Sequence, residues 1–186
     1  KKNDIDFSQI VGQKVTITIK MSDDAKSKRY INGIVTRFVH GGSTIDYTYY
    51  AAEIRPWLWL LTLSKDSKIF QEKSTVDVIT EVFDEFGQSD GYKNSLKGPY
   101  NPREYCVQYQ ETAFEFVSRL MEDEGIYYFF EHTDGKHTLI LADDTSAHSD
   151  AVGLEKARFV KIKRSQSVPG NKDDKKFTFE DLHFNV

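Results

Sequence analysis

The stretch Thr112-Ala113-Phe114-Glu115-Phe116-Val117-Ser118-Arg119-Leu120-Met121-Glu122-Asp123-Glu124-Gly125-Ile126-Tyr127-Tyr128 contains a helix start, a helix stop and the first residues of a strand. Thr112 with Glu115 three residues on forms a full capping box, in which hydroxyl and carboxylate each satisfy an amide at the helix start. Ala113, Phe116, Val117 and Leu120 recur at helical spacing and give the helix one apolar face. Gly125 supplies the left-handed residue that commonly ends a helix.

Downstream, Ile126 to Glu131 and His137 to Ala142 flank Thr133-Asp134-Gly135-Lys136. Asp-Gly readily takes positive φ, so this is a hairpin. Upstream, Glu104 to Gln110 alternates as a short strand, and residues 104–142 therefore make a strand, helix, strand, strand unit whose helix packs on a sheet face. Ser74-Thr75-Val76-Asp77 resembles a second capping box. With Val76, Ile79, Phe83, Phe86 and a closing Gly87, it predicts a helix over 75–86. Asn94 to Pro102, containing Gly98 and Pro99, reads as a loop.

Towards the amino terminus, Lys14 to Ile19 alternates strictly, placing Val15, Ile17 and Ile19 on one face. A polar turn over 22–27 leads to an antiparallel partner from Tyr30 to Val39. Gly41-Gly42-Ser43 breaks the chain before a third strand, Ile45 to Ile54. Three such strands suggest a meander or part of a small barrel. After Pro56, the run Trp57-Leu58-Trp59-Leu60-Leu61-Thr62-Leu63 is apolar on both alternation faces through Leu61, which predicts a strand buried on both sides. It is either a central core strand or one whose second face is covered only in a subunit contact, where Trp is enriched. Asp143 to Gly153 reads as a linker, and Arg158 to Ser165 and Phe177 to Phe184 as two later strands around Pro169-Gly170-Asn171.

With 186 residues, 39% apolar and 29% charged, the chain can bury the core of one domain or two small ones. Cys106 is its only cysteine, which rules out a disulfide within the chain and a thiolate-rich zinc site. The longest apolar run, Trp57 to Leu61, falls far short of the roughly 20 residues that span a bilayer. Lys1-Lys2-Asn3-Asp4 lacks an initiating Met and any apolar leader, so the chain is expected to be an internal piece of a longer protein. A net charge of −4 gives no overall attraction to nucleic acid. The basic stretch Lys156 to Lys176 contains Asp173-Asp174 and reads as a solvated face rather than a nucleic-acid arm.

Few residues suggest chemistry. His132 and His137 can face each other across the hairpin, but a zinc site needs further ligands and no thiol is close in sequence. His40, His148 and His183 are scattered. Cys106, between Tyr105 and Val107, reads as a buried structural thiol. Glu122, Asp123 and Glu124 close a helix where the macrodipole opposes negative charge by about 0.3–1 kcal/mol each. The expectation is that Glu122 or Glu124 meets a basic group from another module or subunit, while Arg119 pairs along the helix with Glu115 and Asp123. A hydrolase using Glu122, Asp123 or His132 is the rival reading from another class.

Three stretches carry a resemblance: Pro56 to Thr62 leading into Ile69-Phe70-Gln71, Arg103 to Tyr109, and Phe116 to Tyr128. Together they closely resemble the VgrG family, spike proteins of the bacterial type VI secretion system, in the part similar to contractile-phage baseplate hubs. The resemblance runs from about Phe7 to Asp143. It implies an α+β, predominantly antiparallel β fold: barrel-like tube modules with an inserted helix-containing module. On that basis 1–66 is part of the first tube module, 67–143 the inserted α+β module, and 144–186 a linker and the start of the second tube module. The family's opening strands, OB-like domain and β-needle are expected to lie outside this chain.

The resemblance also implies a structural, non-enzymatic role without cofactor, metal or catalytic residue. Such proteins form homotrimers, cap the tube of Hcp rings, help puncture target membranes without stable insertion, and deliver effector proteins. They reside in the cytoplasm before firing and are then exported through the apparatus without a signal peptide. Trp57, Trp59, Glu122 and Glu124 are the candidate module or subunit contacts. The nearest rival is the baseplate hub of a contractile phage tail.

Overall fold

Reciprocal hydrogen bonds start both α-helices. In α1, Thr75–Glu85, the Ser74 hydroxyl accepts from the Asp77 amide at 3.2 Å and the Asp77 carboxylate accepts from the Ser74 amide at 3.0 Å. In α2, Ala113–Glu124, the Thr112 hydroxyl accepts from the Glu115 amide at 3.1 Å and Glu115 accepts from the Thr112 amide at 2.8 Å. Gly125, at φ 70°, ends α2, and the Ile126 amide closes the turn on the Met121 carbonyl at 2.8 Å. The computed structural model describes residues 5–20 and 28–149. The chain divides into two compact units, 1–147 and 148–186, and the elements given below belong to the first. The expected turn over 22–27, the strands Arg158–Ser165 and Phe177–Phe184 and the basic stretch lie outside the described residues.

The fold is α+β with mostly antiparallel pairing. Strands β1 (Lys14–Lys20), β2 (Lys28–Ser43) and β3 (Thr48–Arg55) form a three-stranded meander in that order. Strand β2 runs past Val39 to Ser43, because register shifts between Val35 and Arg37 and between His40 and Gly42 absorb extra residues, with Gly42 at φ 117°. The third strand begins at Thr48, not Ile45. A turn in which the Thr44 amide donates to the Tyr47 carbonyl occupies the intervening residues and leaves Ile45 exposed.

A short 3₁₀ turn, η1 (Phe7–Gln9), precedes β1, and Trp57–Leu63 is a second 3₁₀ helix, η2, and not the expected strand. Its buried residues, Trp57, Leu58 and Leu61, follow helical spacing. Apolarity on both alternation faces does not separate a buried strand from a buried helical turn in so short a run. Strand β4 (Lys65–Lys73) follows it and pairs antiparallel with β6 (Arg103–Thr112) as a two-stranded ribbon. Strand β5 (Tyr92–Ser95) replaces the start of the expected loop and pairs in parallel with β8 (Lys136–Ala142). Strand β8 also pairs antiparallel with β7 (Tyr127–Thr133), which is the expected hairpin. The 104–142 unit is therefore split between sheets: β6 joins β4, while the hairpin joins β5.

The core lies where α1, α2 and η2 meet these sheets. Phe70 stacks on Phe116 at 5.6 Å between ring centres, and Trp57 packs edge-on against Phe83 at 5.0 Å. Cys106 lies in this core, where burial pushes its thiol pKa up, as fits a structural rather than a nucleophilic thiol. Asp143 does more than open a linker. Its carboxylate accepts from the amides of Lys97 and Gly98 and from the Tyr100 hydroxyl at 2.8 Å, fixing that loop to the end of β8.

Candidate functional site

The meander meets the hairpin along a seam built on two histidines. His132 and His137 are cross-strand partners with ring centres 5.8 Å apart. His132 Nδ1 accepts from the Asn32 amide of β2 at 3.0 Å, and His137 Nε2 accepts from the Trp57 amide at 3.0 Å. The Asn32 side chain donates to Thr16 Oγ1 at 2.8 Å and to the Thr133 carbonyl at 3.1 Å. The Trp57 indole donates to the Gly91 carbonyl at 3.0 Å. An imidazole nitrogen that accepts a backbone amide carries no proton, so the His137 ring is neutral in this arrangement, whereas His132 Nδ1 also lies 3.0 Å from the Asn32 side-chain oxygen, to which it can donate. Burial lowers the pKa of both, with Arg29 adding to the effect at His132. His137 falls to about 4 through burial, then His132, then Lys14. A cavity of about 500 Å³ adjoins the seam, bordered by Lys14, Asn32, Trp57, Asp90, Lys136 and His137. Among the described residues, no group of three or more His, Cys, Asp or Glu side chains is placed to hold a metal.

The four contact candidates occupy two places. Trp57 is 3% exposed and belongs to the seam, whereas Trp59 is half-buried with the Arg55 guanidinium 5.8 Å from its ring centre. Glu124 accepts from Arg103 at 2.7 Å and from the Thr75 hydroxyl at 2.9 Å, while Glu122 is exposed. Arg103 thus brings a cation to the acidic end of α2 and, with Thr75, holds the Glu124 carboxyl below its ordinary range. Arg119 does not pair along the helix as expected. It binds Glu111 at 2.7 Å and the Val107 carbonyl at 3.2 Å, because Glu115 is occupied by the capping box and Asp123 leans towards Arg103. His132 bonds to Asn32, and among the described residues it forms no hydrogen bond with Glu122 or Asp123.

Sequence reasoning missed an exposed apolar face on the ribbon. Ile69, Tyr105 and Tyr109 are 68%, 62% and 71% exposed, and Val107, opposite Ile69 in register, is exposed beside them. In this part of β6 the polarity is inverted: Cys106 and the polar Gln108 point inward while the aromatic or aliphatic Tyr105, Val107 and Tyr109 point out. The signal was present in Tyr105-Cys106-Val107-Gln108-Tyr109, where the bulky residues alternate with small or polar ones. A second exposed apolar cluster lies on the meander, where Ile17 pairs with Ile31 and Ile19 follows.

The profile of the phage tail baseplate hub (GPD) family matches residues 1–179. The type VI secretion system spike protein VgrG1c of Pseudomonas aeruginosa is 42% identical over 144 residues, which cover 77% of this chain and 19% of that protein. The spike protein VgrG3 of Vibrio cholerae is 35% identical over 139 residues, covering 75% of this chain and 13% of that protein. The chain thus spans about a fifth or less of the length of these curated relatives. Among solved structures, the Escherichia coli c3393 protein matches with a TM-score of 0.73 at 23% identity, covering 88% of this chain and 43% of that one. It is described as a component of the type VI secretion system with structural similarity to the T4 bacteriophage tail proteins gp27 and gp5. These proteins carry the names of spike and tail parts, not of enzymes.

Proposed function

Because the chain belongs to the phage tail baseplate hub (GPD) family and is similar to type VI spike proteins, we propose that it forms part of a homotrimeric spike hub. In this reading the hub caps a tube of Hcp rings and helps carry effector proteins through a target membrane, with no chemistry of its own. Residues 1–66 belong to a first tube module, 67–143 to an inserted α+β module and 144–186 to a linker and the start of a second tube module. The protein waits in the cytoplasm and leaves through the apparatus.

The observation that carries the assembly reading is the inverted ribbon β4–β6. Contiguous exposed apolar side chains on a folded unit mark protein contacts, because leaving them in water forfeits about 25 cal/mol per Å² of buriable apolar surface. The seam around Trp57 supports the module boundary, and Trp59 and Glu122 remain available on the surface as contact residues. Light scattering of the complete protein tests the proposal: a mass of three subunits is expected, and a stable monomer overturns it. The family description equally favours the hub of a contractile phage tail. Neighbouring genes encoding an injection apparatus or a phage morphogenesis cluster separate the two.

A further inference from the structure

We propose that the His132–His137 seam is an acid-releasable latch, which holds the meander to the α+β body near neutral pH and lets it open locally on acidification. The latch depends on where protons are absent. His137 Nε2 has the Trp57 amide as its partner at 3.0 Å, and that amide can only donate. A proton on Nε2 replaces an attraction with two hydrogens facing each other. His132 Nδ1 sits between two alternatives on Asn32, the backbone amide at 3.0 Å and the side-chain oxygen at 3.0 Å. With no proton on Nδ1 it accepts from the amide; with a proton there, which the imidazolium always carries, it donates to the oxygen and releases the amide. The first change strikes the joint where the chain leaves β3 and enters η2, the second strand β2 of the meander.

The charges around the pair amplify the effect. From the meander come Lys14 on β1 and Arg29 on β2, and both raise the cost of a proton on the histidines. Lys136, on the hairpin itself, and Asp90, from the segment before β5, border the adjoining cavity. Helix η2 contributes no titratable side chain. An imidazolium at either position is therefore repelled by a cation from the meander, and by the other ring once both are protonated, and opening relieves these repulsions.

The sign follows from linkage. A histidine held neutral when the seam is closed, and free to titrate at 6.5 when it is open, favours the closed seam fully above pH 6.5; that preference is lost as pH falls towards about 4. The open population is expected to rise up to tenfold per pH unit across this window, roughly 300-fold from His137 alone.

The test uses the complete, isotope-labelled protein. Imidazole nitrogen shifts near neutral pH should show His137 carrying its proton on Nδ1 only. Amide exchange at Asn32 and Trp57, corrected for the intrinsic effect of pH, should accelerate as pH falls from 6.5 to 4, while Phe116 and Leu120 in α2 stay protected. His137→Gln retains an acceptor and removes the titration, so it should flatten the response at Trp57. A proton on Nε2 at neutral pH, constant exchange at Trp57, parallel loss of protection in α2, or an unchanged pH response in His137→Gln each overturns the proposal. If His137→Gln does not fold, the tautomer and the parent exchange profile still decide it.

Discussion

Arg103 shows how one side chain settles a conflict created by its neighbours. Three carboxylates at the end of α2 oppose the helix dipole, and the guanidinium reaches Glu124 from the start of β6 at 2.7 Å. Charge-assisted hydrogen bonds contribute more than neutral ones, but both partners are about one-third exposed, which reduces the gain. Glu124→Gln should therefore cost about 1 kcal/mol in denaturant unfolding, and Glu122→Gln less than about 0.5 kcal/mol. The Glu124 contribution is present above the ordinary glutamate range and is lost as pH falls through its depressed folded pKa. A deficit that persists unchanged at low pH would assign the effect to packing instead. The need for a cation was legible in Glu122-Asp123-Glu124, but for Glu124 it comes from the same 67–143 stretch and not, as expected, from another module or subunit. The identity of the cation was not legible, since Arg103 is distant in sequence and arrives only through the pairing of β6 with β4.

At the scale of elements, reading the sequence succeeded where signals are local. Both helices, the Asp-Gly hairpin and the meander are specified by caps, turn residues and alternation within a few positions. Helix η2, β4 and β5 were missed or misread because partners distant in sequence define them. Strand β4 buries Phe70 as its single core residue, and β5, Tyr92-Lys93-Asn94-Ser95, has no alternation and exists through its backbone bonds to β8. The glycines of β2 illustrate the same dependence. A Cβ on Gly33 would lie 2.6 Å from Ile54 Cγ2 and 2.7 Å from the Arg55 carbonyl oxygen, whereas on Gly41 it would meet nothing closer than 3.6 Å. Gly33→Ala is expected to destabilise by about 1–3 kcal/mol, and Gly41→Ala by less than about 0.5 kcal/mol. Equal melting temperatures for the two variants would contradict the close approach of β3 to β2.

For the whole molecule, composition excluded more than it identified: no disulfide within the chain, no apolar run long enough to span a bilayer, no cationic surplus for nucleic acid. The assembly surface escaped it because 13% aromatic content reads the same whether the rings lie in a core or on a face. Ile69 and Tyr109 tell the two apart only once β4 and β6 are paired. Replacing both by Ser in the complete protein should lower its mass in solution while leaving the helical circular dichroism signal intact. Retention of the parent mass would remove this face from the subunit contact. The parallel pairing of β5 with β8 has a further consequence, for the order in which the molecule forms. Tyr92 pairs with Leu139 and Ser95 with Ala142, so a chain growing from its amino terminus emerges with β5 long before its partner exists. The segment must wait unpaired through the synthesis of β6, α2 and β7, and its docking closes the longest loop of that sheet. Folding of this unit therefore completes only after Ala142 has been made.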